Sequence, residues 1–136
     1  MSGPGEGEMV IANENDIVMA RKAVRDVTTG MGFGVTDVTR IVTAASELTR
    51  NIYLYAGTGF MRWRVLDEGE YHHGVELIFE DHGPGIENLE QAMVPGYTSG
   101  KGLGMGLPGS KRLMDEMEVD TAPGRGTVVK IRKWLR

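Results

Sequence analysis

Residues 98–109 read TSGKGLGMGLPG, with glycine at 100, 102, 104, 106 and 109. A helical pattern begins just beyond. Glycine in a regular element costs roughly 0.5–1 kcal/mol relative to alanine, so neither a long helix nor a strand will run through this segment. Two structures remain open. The segment is a mobile loop with a glycine-rich helix entry, or its backbone must approach something closely. Exposed N–H groups leading into a helix N-terminus form a natural anion site. Two familiar phosphate motifs fail here. Gly104-Met-Gly106-Leu-Pro-Gly109 spells G-x-G-x-x-G, but no strand precedes it, and Val128 and Val129 stand where an acid is required. Gly96 to Lys101 resembles a Walker A loop but is one residue short, and Gly102 replaces the metal-binding hydroxyl.

The rest of the chain bounds what can surround this segment. Its 136 residues suit one domain with one core. A net charge of -4 argues against nucleic acid as the main partner. The absence of cysteine excludes disulfides and thiolate metal sites. No apolar run reaches the length of a membrane span, and MSGPGEGE lacks the apolar core of a signal peptide. Residues 1–8 read as a disordered leader, residues 9–136 as a single domain, and the cytoplasm as the location.

Periodicity outlines an α+β fold, a two-layer sandwich with a mixed sheet and helices on one face. Met9 to Ala12 reads as an edge strand, and Asn13 or Asn15 caps the next helix, whose stripe is Ile17, Ala20, Val24 and Val27. A second helix, about Thr36 to Tyr55, carries Val38, Ile41, Ala45, Leu48, Ile52 and Tyr55 on one face. Two strands follow. Met61, Trp63 and Val65 share the inner face of one, and Val75, Leu77, Phe79 and Asp81 that of the next. GEYHHG joins them as a hairpin loop, where His72 and His73 read as a solvated tip. A third helix is expected from about Gly104 to Met117 with Leu107, Met114 and Met117 inward, then strands near Glu118–Thr121 and Thr127–Trp134. The outer sheet face carries Arg62, Arg64, Glu76, Glu80, Lys130 and Arg132, as a solvated or partner-contacting surface would.

Three further signals accompany the glycines. Glu47 and Asn51 are four residues apart on one helix face beside the apolar stripe. Together they offer hard ligands for Mg²⁺, or one base and one ligand; a surface Glu47–Arg50 pair with a solvated Asn51 is the plain alternative. Asp81 ends an apolar strand face, where an ionised carboxylate needs hydrogen-bond donors. The exocyclic amine of adenine is a matching donor, and Gly83 and Gly85 let the chain turn against a flat ligand; an Asp81 bonded to its own backbone is the alternative. Gly124 and Gly126 suit a hairpin loop.

The order of these signals resembles the GHKL ATPase superfamily, the ATP-binding fold of histidine kinases, gyrase, Hsp90 and MutL. The resemblance spans residues 9–136. It implies that Glu47 is the catalytic base and Asn51 a Mg²⁺ ligand, that Asp81 receives the adenine amino group, and that Gly83 and Gly85 shape the base pocket. Gly100, Gly102, Gly104 and Gly106 correspond to the glycine box where a lid meets the phosphates, with Lys101, Leu103 and Met105 in the same ATP-binding run. Gly124, Gly126 and Thr127 correspond to a third box, with Thr127 near the adenine. SELTRNIYLYAGTG, GYTSGKGLGMGLPGSKRLMDEM and KIRKWLR are similar to one branch, the RsbT-type switch serine kinases of the bacterial stress-response (stressosome) module. That branch implies a serine/threonine kinase using ATP and Mg²⁺, STAS-domain proteins as substrate and scaffold, and activation of a PP2C-type phosphatase after release, with no nucleic-acid or membrane partner. An anti-sigma factor kinase and a nucleotide-gated binding module without transfer chemistry are the rivals.

Overall fold

The computed structural model describes residues 5–69, 72–94 and 106–136. Strand β1, Glu6–Ile11, pairs antiparallel with β2, Gly59–Asp67. The remaining strands are β3, His73–Asp81, β4, Glu116–Ala122, and β5, Gly126–Trp134. Their order across the sheet is β1-β2-β3-β5-β4, so the last strand in the chain lies between its two predecessors. Every neighbouring pair is antiparallel, so the α+β class holds but the sheet lacks the parallel pair of a mixed one. β1 begins three residues before the expected strand, because Glu6 to Glu8 pair with Arg62 to Arg64. Those three residues therefore belong to the sheet and not to a leader.

Helix α1, Glu14–Met31, starts in a capping box. The Asn13 side chain accepts the Asp16 N–H at 3.1 Å, and the Asp16 carboxylate accepts the Asn13 N–H at 3.2 Å. Helix α2, Val35–Asn51, packs against both α1 and α4, Gly106–Leu113. A short helix, α3, spans Leu89–Ala92. The helices cover one sheet face. Ile41, Ala45 and Leu48 of α2 meet Met61, Leu77, Phe79 and Ile131 in one core, each large side chain worth about 1.5–3 kcal/mol when buried. Among the described residues no helix is long and apolar enough to cross a membrane.

Three local departures from the periodicity have visible causes. The α-helical hydrogen bonding of α2 ends at Asn51, and Ile52–Ala56 form a π turn closed by the Gly57 N–H on the Ile52 carbonyl at 3.0 Å. The third long helix stops at Leu113 because the Asp115 N–H bonds Arg132 of β5 at 3.0 Å, drawing the chain into the sheet. Met117 consequently lies in β4, while Leu107 and Met114 are buried as expected. At the end of β2, Val65 stays exposed and Leu66 is buried.

The outer sheet face bears the expected charges, with one exception to its solvation. Glu76 is only 1% exposed. Its two oxygens accept from Arg64 Nε and Arg132 Nε, each at 2.6 Å. Burial alone pushes its carboxyl up, but these bonds and charges prevail and hold it below its ordinary value. A second buried charge, Lys133, reaches the helix side. Its ammonium donates to the Leu113 carbonyl, the end of α4, at 2.9 Å, and stands 3.8 Å from both Asp37 and Asp115.

Candidate functional site

A cleft opens between the helix layer and the sheet. Its walls are apolar: Leu48 and Ile52 on one side, Phe79 and Val129 from the sheet, Ile86 and Leu107 at the edges. Polar groups enter at its ends.

At one end stands α2. Asn51 is half-buried and lines the cleft. Glu47, one turn earlier, has its side chain 43% exposed, and its carboxylate accepts from Arg50 Nη1 at 3.2 Å. The plain alternative is thus half met: the Glu47–Arg50 pair exists, but Asn51 is not a freely solvated amide. The first residue of α4 closes on both. A Cβ added to Gly106 would lie 2.9 Å from Glu47 Cβ and 3.4 Å from Asn51 Nδ2. Gly106 is therefore glycine because helix and helix meet there.

At the other end stands Asp81, at the last position of β3. Its Oδ1 accepts the Gly83 N–H at 2.9 Å, an Asx turn, and the Thr127 N–H also bonds it. Burial, the largest influence, pushes its carboxyl above the ordinary range despite these bonds. The following glycines are sterically required. A Cβ on Gly83 would stand 2.7 Å from Ala56 Cβ. Gly85 has φ of +76° and its Cβ would run into the Ala122 carbonyl.

The β4–β5 hairpin completes the floor. The Gly124 N–H bonds the Pro84 carbonyl at 2.7 Å, so the hairpin and the turn after β3 hold each other. Thr121 is the junction. Its Oγ1 accepts the Ile86 N–H at 2.9 Å, lies 2.8 Å from Thr127 Oγ1 and 3.1 Å from the Gly126 carbonyl. Thr127 itself lines the cleft.

The structure places Asn51, Asp81, Gly85 and Thr127 on the lining of one cleft, sets Gly106 against Glu47 and Asn51, and bonds the Gly83 N–H to Asp81. Gly100, Lys101, Gly102, Leu103, Gly104 and Met105 lie outside the described residues. Sequence reasoning missed two contributors. Thr121 is signalled only by its position opposite Thr127 in the hairpin. Tyr55 belongs to the expected apolar stripe but lines the cleft instead, its hydroxyl pushed up by burial. The π turn accounts for that placement, and such turns recur at functional sites.

A metal at the Asn51 end has few protein ligands to choose from. Among the described residues no group of three or more acidic or imidazole side chains converges. One amide oxygen and one carboxylate beside an open cleft suit Mg²⁺, which keeps waters and takes substrate phosphates as its other ligands.

The histidine kinase-like ATPase domain family matches residues 10–133. The serine/threonine-protein kinase RsbT of Bacillus subtilis is 49% identical over 127 residues, 93% of this chain and 94% of that protein. An anti-sigma F factor of Clostridium beijerinckii is 35% identical over 130 residues, covering 93% of this chain and 90% of the relative. Among solved structures, the RsbU and RsbW domains of a Mycobacterium tuberculosis protein superpose with a TM-score of 0.67 at 16% identity, over 96% of this chain and 33% of that one. The SiaB–SiaC complex of Pseudomonas aeruginosa gives 0.57 at 12% identity, over 95% and 89%. At these identities the structural matches speak for the fold.

Proposed function

Given that the chain belongs to the histidine kinase-like ATPase family, we propose that its cleft holds ATP·Mg²⁺ and positions the terminal phosphate for a hydroxyl of a partner protein. The chain is a serine/threonine protein kinase of the partner-switching kind. The observation that carries the site assignment is the polarity of the cleft. Asp81, Thr127 and Asn51 line one apolar cleft, with Glu47 one helical turn before Asn51; in this reading the first two recognise the base and the last two serve the chemistry.

In this reading Asp81 accepts the adenine amine, and Gly83 and Gly85 let the base lie against the backbone. Thr127, oriented by Thr121, stands beside the base. Asn51 holds Mg²⁺, which when bound offsets charge on the phosphates. Glu47 takes the proton from the acceptor hydroxyl as its oxygen bonds to the terminal phosphorus, while the bond to the departing ADP breaks. The family resemblance assigns the phosphates to the run from Gly100 to Gly106, Lys101 included. Positioning and charge neutralisation supply most of the acceleration.

The substrate and scaffold are STAS-domain proteins, release from them frees the kinase to activate a PP2C-type phosphatase, and all of this takes place in the cytoplasm. The test mixes the protein with Mg·ATP and a STAS-domain protein encoded beside it, then measures the partner's intact mass. One added phosphate, absent with Glu47→Ala, is expected. No added phosphate despite ATP binding would overturn the kinase reading. The similarity to an anti-sigma F factor supports a second reading, capture of a sigma factor. A stable complex with a sigma factor in a pull-down would favour it.

A further inference from the structure

Residues 46–51 read SELTRN, which sets a cation between the two polar groups that serve the chemistry. Arg50 stands in the last turn of α2, directly before Asn51 and three residues after Glu47. Residues at that spacing are neighbours on a helix surface. Arg50 Nη1 accordingly donates to Glu47 Oε1 at 3.2 Å. Among the described residues it is the one bond that the guanidinium makes.

The two carboxylate oxygens of Glu47 therefore have different neighbours. Oε1 is held by Arg50. Oε2 stands 3.5 Å, and Asn51 Nδ2 3.4 Å, from the point where a Cβ on Gly106 would lie. Oε2 thus faces the junction of α2 and α4 that Asn51 shares, and Asn51 lines the cleft. Gly106 confines the root of the Glu47 side chain, but the rest of it is bonded among the described residues by Arg50 alone. A long side chain in water spreads over several rotamers. A charge-assisted bond to one oxygen selects among them and leaves the other oxygen free to accept. The same helix supplies a comparison. Arg40 pairs with Asp37 at the same spacing and 3.0 Å, with an exposure of 50% against 46% for Arg50. Exposed pairs of this kind add little to stability, so the fold can lose either one. Arg40 and Asp37 do not line the cleft, whereas the Arg50 pair holds a group assigned to the reaction.

We propose that Arg50 is a positioning residue for phosphate transfer, clamping Glu47 Oε1 so that Oε2 is presented to the acceptor hydroxyl. This rests on the kinase reading above and gives a role to a residue that reading leaves without one. Oε2 takes the hydroxyl proton as the hydroxyl oxygen bonds to the terminal phosphorus and the bond to ADP breaks. Arg50 keeps its own protons throughout.

The test measures steady-state phosphate transfer to the STAS-domain protein for the wild type, Arg50→Ala, Arg50→Lys, Arg40→Ala, Glu47→Ala and the double variant Glu47→Ala/Arg50→Ala. Thermal unfolding and an ATP titration accompany each. For Arg50→Ala the expected result is a kcat lowered by about tenfold or more, as misplacement at a reaction centre does, with the KM for the protein, ATP affinity and melting temperature retained. Arg50→Lys keeps the charge but not the planar fork, so it should recover only part of the rate. Arg40→Ala should transfer like the wild type. Because Arg50 acts through Glu47, the double variant should be no slower than Glu47→Ala. Side-chain nitrogen NMR of the nucleotide-free protein gives a readout apart from activity: rotation of the Arg50 guanidinium should be hindered in the wild type and free in Glu47→Ala. An unchanged kcat in Arg50→Ala would overturn the proposal, as would a loss matched by Arg40→Ala. So would a raised KM with kcat intact, which would put Arg50 on the partner, or a further loss in the double variant. Free guanidinium rotation in the wild type would show that no clamp exists. Absence of transfer by the wild type itself would count against the kinase reading and is separately visible.

Discussion

Gly106 approaches Glu47 so closely that a methyl group on it would stand 2.9 Å from the Glu47 Cβ. The neighbour is the root of a side chain, so it cannot swing away. Gly106→Ala therefore trades a helix-propensity gain of about 1 kcal/mol against displacement of α2 from α4 at the reacting end. We expect near-wild-type helix content by circular dichroism and a transfer rate lowered at least about tenfold, as misplacement at a reaction centre does. A wild-type rate would show that the contact has slack.

Asn51→Ala should uncouple nucleotide binding from the metal. Titrating ATP with and without EDTA, the wild type should bind more tightly in the presence of Mg²⁺, while the variant should give the same affinity in both. A retained Mg²⁺ response would remove Asn51 from the metal.

Asp81 is expected to make adenine recognition acid-sensitive. Its folded value is raised above the ordinary 3.8, so the ionised acceptor is lost as pH falls through that raised value. Adenosine, which has no titrating phosphate, is the probe. Its affinity should drop on acidification in the wild type, and Asp81→Asn should bind it about 1–3 kcal/mol less tightly at neutral pH with a flat profile. Parallel profiles for the two proteins would refute the role.

Thr121→Val removes the hydroxyl that accepts the Ile86 N–H at 2.9 Å and meets Thr127 at 2.8 Å. The orphaned amide should cost about 1–3 kcal/mol in chemical denaturation. Nucleotide affinity should fall with it, whereas Thr121→Ser should restore both.

Glu76 and Asp115 set the acid limit of stability. Burial opposes ionisation of each, but Arg64 and Arg132 at the first, and Arg136 and the Trp134 N–H at the second, hold both below their ordinary values of 4.5 and 3.8. Their contribution is present above those values and is lost as pH falls through the depressed folded ones. Thermal unfolding from pH 7 to pH 2 should show this loss, and Glu76→Gln should lower the melting temperature at neutral pH while flattening the acid limb. An unchanged acid limb would place the limiting carboxylates elsewhere.

What the sequence made legible follows its periodicities. Ile41, Ala45 and Leu48 announce the buried face of α2, and the alternation around Leu77 and Phe79 places Asp81 at the cleft before any coordinates are seen. The glycine boxes put Gly83, Gly85 and Gly126 where a side chain would strike backbone. The illegible parts are long-range. Nothing in EMEVDTA tells that Asp115 will bond Arg132 and shorten the preceding helix. Nothing near Ile52 signals the fifth residue that widens the turn and sends Tyr55 to the cleft. Glu76 reads as a solvated charge because its two guanidinium partners come from strands 12 and 56 residues away.

The order β1-β2-β3-β5-β4 has a consequence for how the protein comes into being. The strand that borders both β3 and β4 is the one translated after them. While the ribosome still shelters residues 126–134, Asp81 lacks the Thr127 amide and Thr121 has no partner across the hairpin. The Asp81–Thr127 and Thr121–Thr127 bonds therefore form only once β5 has joined the sheet. The lining that Thr127 and Val129 give to the cleft is thus the last part of the cleft to be put in place.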